Sequence, residues 1–209
     1  MAASLTKDQQ NFLAPRLSAL GSDVGALSGR SFGPNTHKGP MVISSNPSRD
    51  NLGSHQVEVT SVAQYKAIGG VPNEHFDKTP GADRHITYLG ASHTNFRSLI
   101  ERAKADSCTF KSLLSADDID ILSTQMRAYV LGDSRRVPPE YEEAINSLYF
   151  PMMITYTPGE DITITAANPL IIDSSYPSQL TFGTITIESG GYIQMNVPVN
   201  ITANQMISK

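Results

Sequence analysis

The spacing of the apolar residues changes near Pro151, from the helical period of about 3.6 to the strand period of two. Upstream, the pattern predicts three helices. The first runs from Thr94 or Asn95 to near Asp106, the second runs from Ser115 to Gly132, and the third begins after Pro138-Pro139 and faces Tyr149 inward. Ser115 is a suitable N-cap, because its hydroxyl can accept a hydrogen bond from the amide of Asp118. The middle of the chain is therefore predicted to be mainly helical.

A further helical pattern lies near the N-terminus, where apolar residues follow one another at spacings of four, three, four and three. These residues are Leu13, Leu17, Leu20, Val24 and Leu27. They form one face of a helix that packs on its own domain or on a sister subunit. Residues 28–53 are rich in Gly and Pro and predict a long loop or arm. Short strands are expected around Val57 and Val59 and at Ile86–Leu89.

After Pro151 the chain reads as a series of short strands separated by turn signals. The predicted strands are Met153–Thr157, Ile162–Thr165, Leu170–Asp173, Leu180–Phe182, Thr184–Ile187 and Tyr192–Ile201. Pro158-Gly159 is one of the predicted turns, and Pro198 is expected to break the last strand, bulge it or place it at an edge. Two architectures fit: a small antiparallel sandwich or roll with a hairpin at Ser189–Tyr192, and a short parallel β-solenoid.

The predicted fold class is α+β, with an irregular, partly helical N-terminal part followed by a β-rich C-terminal part. We divide the chain into an N-terminal helix and extended arm (1–53), a mixed, mainly helical segment (54–150) and a β-rich segment (151–209).

Composition narrows the function. The 209 residues carry a net charge of −4, which argues against a nucleic-acid partner because phosphate binding requires a basic surface. No apolar run reaches the length of about 18 to 20 residues that spans a bilayer, and the first residues do not resemble a secretory signal. We expect a soluble protein and leave its location open. With Cys108 as its one cysteine, the chain has no internal disulfide.

Candidate catalytic chemistry is sparse, and no catalytic residue or cofactor is predicted. The ionisable residues that could hold a metal ion are grouped in one Gly- and Pro-rich stretch: His75, Asp77, His85 and His93. Their spacing matches no established ligand pattern, which favours ordinary surface histidines. A metal-dependent hydrolase using this loop is the third interpretation of the chain.

The leading interpretation is a non-enzymatic structural or self-assembling subunit that forms a homo-oligomer. Residues 151–209 carry few charges, although soluble β proteins usually protect exposed strand edges with charge. Association is expected through the β-rich segment and the N-terminal helix or arm. The predicted interface residues are Leu13, Leu17, Leu20, Val24, Leu27, Thr184, Thr186, Gln194 and Asn196.

The second interpretation is a carbohydrate- or ligand-binding module of lectin type. Tyr176 and Tyr192 would cover the apolar faces of sugars, and nearby amide side chains would bind hydroxyl groups. A glycan array separates this function from assembly.

Overall fold

The computed structural model describes residues 5–209, and its mixed α+β class confirms the sequence prediction. The chain forms two compact units. One contains the segment up to residue 58 together with residues 153–209, and the other contains residues 59–152. The N-terminal arm therefore belongs to the same unit as the C-terminal strands. The first four residues of the predicted helix-and-arm segment lie outside the described residues.

Within residues 5–209, the first unit contains one α-helix and seven strands. The helix, α1, spans Lys7–Ser18. The strands are β1 (Met41–Ile43), β2 (His55–Val59), β3 (Met152–Ile164), β4 (Leu170–Ile172), β5 (Ser178–Ile187), β6 (Ile193–Met195) and β7 (Val199–Ser208). They form a three-stranded sheet in the order β1-β4-β6 and a four-stranded sheet in the order β2-β3-β5-β7.

From β3 onwards the chain alternates between these two sheets, which is the arrangement of a parallel β-solenoid. β3, β5 and β7 pair in parallel, and so do β1, β4 and β6. Thr155 is in register with Ser178, which is in register with Val199, so each circuit of the chain takes 23 or 21 residues. We call each circuit a coil. Of the two predicted architectures, the antiparallel sandwich or roll is wrong.

The N-terminal arm adds a first coil to the solenoid. Phe32 forms a parallel bridge with Ile162 of β3, and β1 pairs with β4. The predicted loop at 28–53 therefore contains solenoid structure. Its sequence did not reveal this, because a strand of three residues is too short to show a period.

The second unit is helical and has its own apolar core. Its α-helices are α2 (Val62–Gly69), α3 (Asn73–Lys78), α4 (Phe96–Ala105), α5 (Ala116–Leu131) and α6 (Pro139–Tyr149). The predictions of α4, α5 and α6 are confirmed. Leu122 and Ile145, both fully buried, lie in the core of this unit. The helices α2 and α3 were not predicted from the sequence, and the strand predicted at Ile86–Leu89 is wrong.

The predicted helix through Leu13–Leu27 is also wrong in its limits. Thr6 caps α1 by accepting a hydrogen bond from the Gln9 amide, so the helix begins earlier than expected. It ends at Ser18, before Gly21, which adopts a φ of +69° that other residues disfavour. Residues 24–27 form a separate 3₁₀ turn capped by Asp23.

Several strand boundaries also differ from the prediction. β3 runs through Pro158-Gly159, and β5 runs through Gly183, so each joins two predicted strands. The last predicted strand is divided before Pro198, as expected for a residue without a ladder donor. The predicted hairpin at Ser189–Tyr192 is wrong, because β5 and β6 belong to different sheets.

Candidate functional site

One stack of apolar side chains runs along the interior of the solenoid through neighbouring strands. Ile162 of β3, Ile185 of β5 and Met206 of β7 share one register position. Ile162 and Ile185 are each 1% exposed, whereas Met206 is 62% exposed. The apolar stack therefore continues onto β7, where no described strand covers it.

A second stack, in the three-stranded sheet, shows the same change. Ile43, Ile172 and Met195 share a register position on β1, β4 and β6. Ile43 and Ile172 are fully buried, whereas Met195 is 57% exposed. Two independent stacks thus end in an exposed methionine at the same end of the solenoid. We call residues 192–208, which form this end, the open end.

Other apolar side chains of the open end are partly buried against the solenoid core. They are Ile193, Val197, Val199, Ile201 and Ala203. Together with Met195 and Met206 they form an apolar surface that continues the core. A partly solvated core end of this kind is a favourable place for another protein surface to pack.

The backbone of the open end also has unused pairing capacity. β6 and β7 are the last strands of their sheets, so within residues 5–209 neither has a strand along its outer edge. β7 has ten residues, which is long for an edge strand. Native proteins usually shorten such edges, cover them or place charges on them.

Charges do not protect the open end. No Asp, Glu, Lys, Arg or His lies between Glu188 and Lys209. A partner strand could therefore approach β7 without desolvating a charged side chain. The edge combines length, apolar side chains and the absence of charge, which are the features that favour strand addition.

The opposite end of the solenoid is covered by residues 44–54, which we call the cap. Leu52 of the cap is 2% exposed and packs in the solenoid core. Asn51 pairs with the edge strand β1 through two hydrogen bonds. Its side-chain oxygen accepts from the Val42 backbone amide at 2.7 Å, and its backbone amide donates to the Val42 carbonyl at 3.1 Å. These contacts occupy the groups that another strand would use.

Asp50 holds the cap in its conformation. Its carboxylate accepts hydrogen bonds from the Ser44 amide at 3.2 Å and from the Ser54 amide at 2.8 Å. The adjacent strand β2 carries an exposed Glu58, a charge of the kind that discourages edge pairing. Among residues 5–209, the solenoid therefore has one capped end and one open end.

The structure separates the interface residues that the sequence predicted. Gln194 and Asn196 lie on the open end, exposed and hydrogen-bonded to each other at 3.2 Å. Thr184 instead accepts a hydrogen bond from Gln9 of α1 at 3.0 Å. Thr186 is half-buried on β5.

The predicted apolar interface residues of the N-terminal segment lie mainly inside the first unit. Leu13, Leu17 and Leu27 are buried. Leu20 and Val24 are partly buried, and Leu20 lines a cavity of about 180 Å³ beside Tyr156.

Burial raises the pKa of Tyr156 to about 12, so its hydroxyl stays neutral.

Sequence reasoning missed Met195 and Met206. Their spacing contained a usable signal: Met195 follows Ile172 by 23 residues, and Met206 follows Ile185 by 21. These intervals equal the length of a coil. Without knowledge of the coil length, these intervals carry no information about burial.

The two tyrosines of the lectin interpretation are exposed at different corners of the solenoid. Tyr192 directly precedes β6, whereas Tyr176 lies between β4 and β5. The structure places them on separate turns of the chain, and Tyr192 belongs to the open end.

The predicted metal candidates belong to the second unit. His75 makes an edge contact with the Phe76 ring, and Asp77 forms an ion pair with Arg135 at 2.7 Å. His85 and His93 are exposed. Among residues 5–209, no group of three or more His, Cys, Asp or Glu side chains is arranged to hold a metal ion.

A polar network in the second unit joins Asp83, Tyr88, Asp133 and Arg136. The Tyr88 hydroxyl donates to Asp83 at 2.7 Å and accepts from the Asp133 amide at 2.6 Å, while Arg136 forms an ion pair with Asp83. Desolvation is the main reason that the pKa of Tyr88 rises to about 12. These hydrogen bonds and this ion pair link the loop that contains Asp83 and Tyr88 to the segment that follows α5.

Comparisons with known protein families, with curated proteins and with solved structures found no match. In the stretch of the chain that the structure describes, no helix has the length and apolarity needed to cross a bilayer.

Proposed function

We propose that this chain is a non-enzymatic structural subunit that assembles through the open end of its solenoid. The observation that carries the proposal is the exposure of Met195 and Met206 at register positions where the preceding coils bury their side chains almost completely. A partner that covers the open end would continue the apolar core and the two sheets at once.

The driving force is the same as that which holds neighbouring coils together. Burying one methionine side chain stabilises the contact by about 1.5–3 kcal/mol, and apolar side chains on both sides of the contact are buried. The ten-residue edge of β7 adds main-chain hydrogen bonds through strand addition. The lack of charge between Glu188 and Lys209 removes the desolvation cost that usually protects an edge.

The proposal assigns association to the open end and leaves α1 inside the subunit. Leu13 and Leu17 of α1 are already buried in the first unit, where α1 packs against β5 and β7. Their apolar surface is used for folding and is not exposed to a partner. This differs from the sequence-based expectation, which used the helix as a second contact surface.

Sedimentation of the chain over a wide concentration range tests the proposal. We expect concentration-dependent association, and we expect the double variant Met195→Lys, Met206→Lys to weaken it at least about 100-fold, because each lysine would be desolvated in the contact. The matched control is Ala167→Lys, which adds a lysine at an exposed turn between β3 and β4. The control should associate as the unmodified chain does.

Circular dichroism establishes that each variant is folded. A chain that sediments as a monomer at every concentration would disprove assembly. So would a double variant that is folded and associates as strongly as the control.

A further inference from the structure

We propose that the partner at the open end is a second copy of this chain, and that two copies meet open end to open end about a two-fold axis. This inference rests on the assembly function proposed above and adds the identity and geometry of the partner. The resulting particle is a closed pair, since each copy has one open end and uses it.

The cap excludes the alternative in which copies stack head to tail. In such a stack the open end of one copy would contact the first coil of the next. That coil is covered by the cap, where Leu52 fills the core and Asn51 bonds both the amide and the carbonyl of Val42. Solenoid proteins use terminal caps of this kind to stop further stacking. The edge strand of the other sheet at that end, β2, has five residues and carries the exposed Glu58, a charge that discourages pairing. The charge-free surface that remains is another open end.

The open end can face itself without electrostatic cost. A two-fold contact places each surface patch against the same patch of the other copy, so a charged patch would meet like charge. Because no charged residue lies between Glu188 and Lys209, two copies bring no like charges together there. This neutrality suits self-association better than the binding of a charged partner.

Strand lengths select which edges meet. A two-fold axis can place β7 against β7 or β7 against β6. In both cases the strands run antiparallel, because the rotation reverses the sense in which the chain winds. β7 has ten residues and β6 has three, so the second arrangement would leave most of β7 without a strand beside it. The antiparallel pairing of β7 with itself places a strand along its full length.

The side-chain pattern of β7 matches this pairing. Ile201 stacks on Leu180 and Met206 stacks on Ile185, so both belong to the inward set. Val199 also packs against the core, and Ser208 stacks on Ile187. When two copies of β7 overlap fully in antiparallel directions, Ile201 lies opposite Met206 and Val199 lies opposite Ser208. Inward positions then meet inward positions across the contact.

A mixing experiment tests this register. We expect the chain to reach the mass of two copies and no more. Met206→Lys and Ile201→Glu should each reduce pairing at least about 100-fold, because in each pair of identical variants a charge is buried twice without a partner. In an equimolar mixture, the new ammonium at position 206 of one copy lies opposite the new carboxylate at position 201 of the other. The other contact of the mixed pair still joins the native Ile201 to the native Met206. We therefore expect the affinity to recover to within about tenfold of the native value.

Disulfide formation provides a second measurement that alters the fold less. In a Cys108→Ser background, a chain with Ile201→Cys mixed with a chain with Met206→Cys should form an intermolecular disulfide, since opposite residues in antiparallel strands bring their α-carbons within about 6 Å. The matched control uses Ala167→Cys, in the exposed turn, in place of Met206→Cys. It should not cross-link to Ile201→Cys above background.

The outcomes separate the two proposals. Association that grows beyond two copies, or a mixture that stays dissociated and does not cross-link, would overturn the two-fold pairing while leaving assembly through the open end intact. A chain that remains monomeric at all concentrations would overturn both. A two-copy mass with recovery on mixing supports both.

Discussion

Ile185 and Met206 occupy the same register position on neighbouring strands of one sheet, yet Ile185 is 1% exposed and Met206 is 62% exposed. Both side chains are apolar and both belong to the inward stack of the solenoid. The difference is that Ile185 has a strand on each side, β3 and β7, whereas Met206 has a strand on one side among the described residues. Position along the stack, and not residue type, therefore separates a buried core residue from an exposed one.

This relationship predicts unequal costs of truncation. In dilute solution, Ile185→Ala should lower the free energy of unfolding by about 2–5 kcal/mol, because it leaves a cavity between packed strands. Met206→Ala should change it by less than about 0.5–1 kcal/mol, because the side chain is mainly solvated. Urea unfolding at a concentration below that of association measures both. Equal costs would contradict the assignment of Met206 to an open end.

The cap is predicted to stabilise the first unit through Leu52. Leu52→Ala should cost about 2–5 kcal/mol, because Leu52 is almost fully buried at the end of the core. Asn51→Ala should cost about 1 kcal/mol through the lost hydrogen bond to the Val42 amide. Chemical denaturation followed by circular dichroism checks both values. A negligible effect of Leu52→Ala would mean that the cap does not close the core.

Lys66 predicts a pH dependence of the second unit. Its ammonium donates to the carbonyls of Tyr129 and Gly132 at 2.8 and 2.7 Å, and burial lowers its pKa from the usual 10.5 to about 8. Between these two values the unfolded chain keeps the Lys66 proton that the folded chain has released. Lys66 should therefore make the free energy of unfolding increase as the pH rises above 8.

Removing the amine should remove this contribution. Unfolding midpoints between about pH 8 and 9.5, below the titration of the tyrosines, should rise less steeply in Lys66→Met than in the unmodified chain. The matched control is Lys111→Met at an exposed position, which should retain the native slope. An identical slope in Lys66→Met and the unmodified chain would show that Lys66 does not titrate in this range.

Helices of the second unit were predictable because their signals are local. The Ser115 hydroxyl accepts from the Asp118 amide at 3.1 Å, as the sequence indicated, and Gly132 ends α5. A cap and an apolar face are set by residues three or four positions apart. The shorter helices α2 and α3 escaped because a segment of six or eight residues shows barely two turns of the period.

Strand pairing was less predictable, because its determinants are distant in sequence. Alternation located most strand segments after Pro151, but it does not state which strand lies beside which. Ser189–Tyr192 resembles a hairpin turn by composition, yet it joins two sheets because β5 pairs with β3 and β7. That choice depends on contacts made 21 to 23 residues away.

The amino-acid sequence by itself determined the strand-forming alternation after Pro151, the absence of charge between Glu188 and Lys209, the limits of α4 and α5, and the start of α6. Only the tertiary structure decided that the strands stack as coils, that Leu52 closes one end, and that Met195 and Met206 form the other. The reason is physical: backbone preference and charge belong to a residue and its near neighbours, whereas burial depends on which chain segments lie above and below it in space.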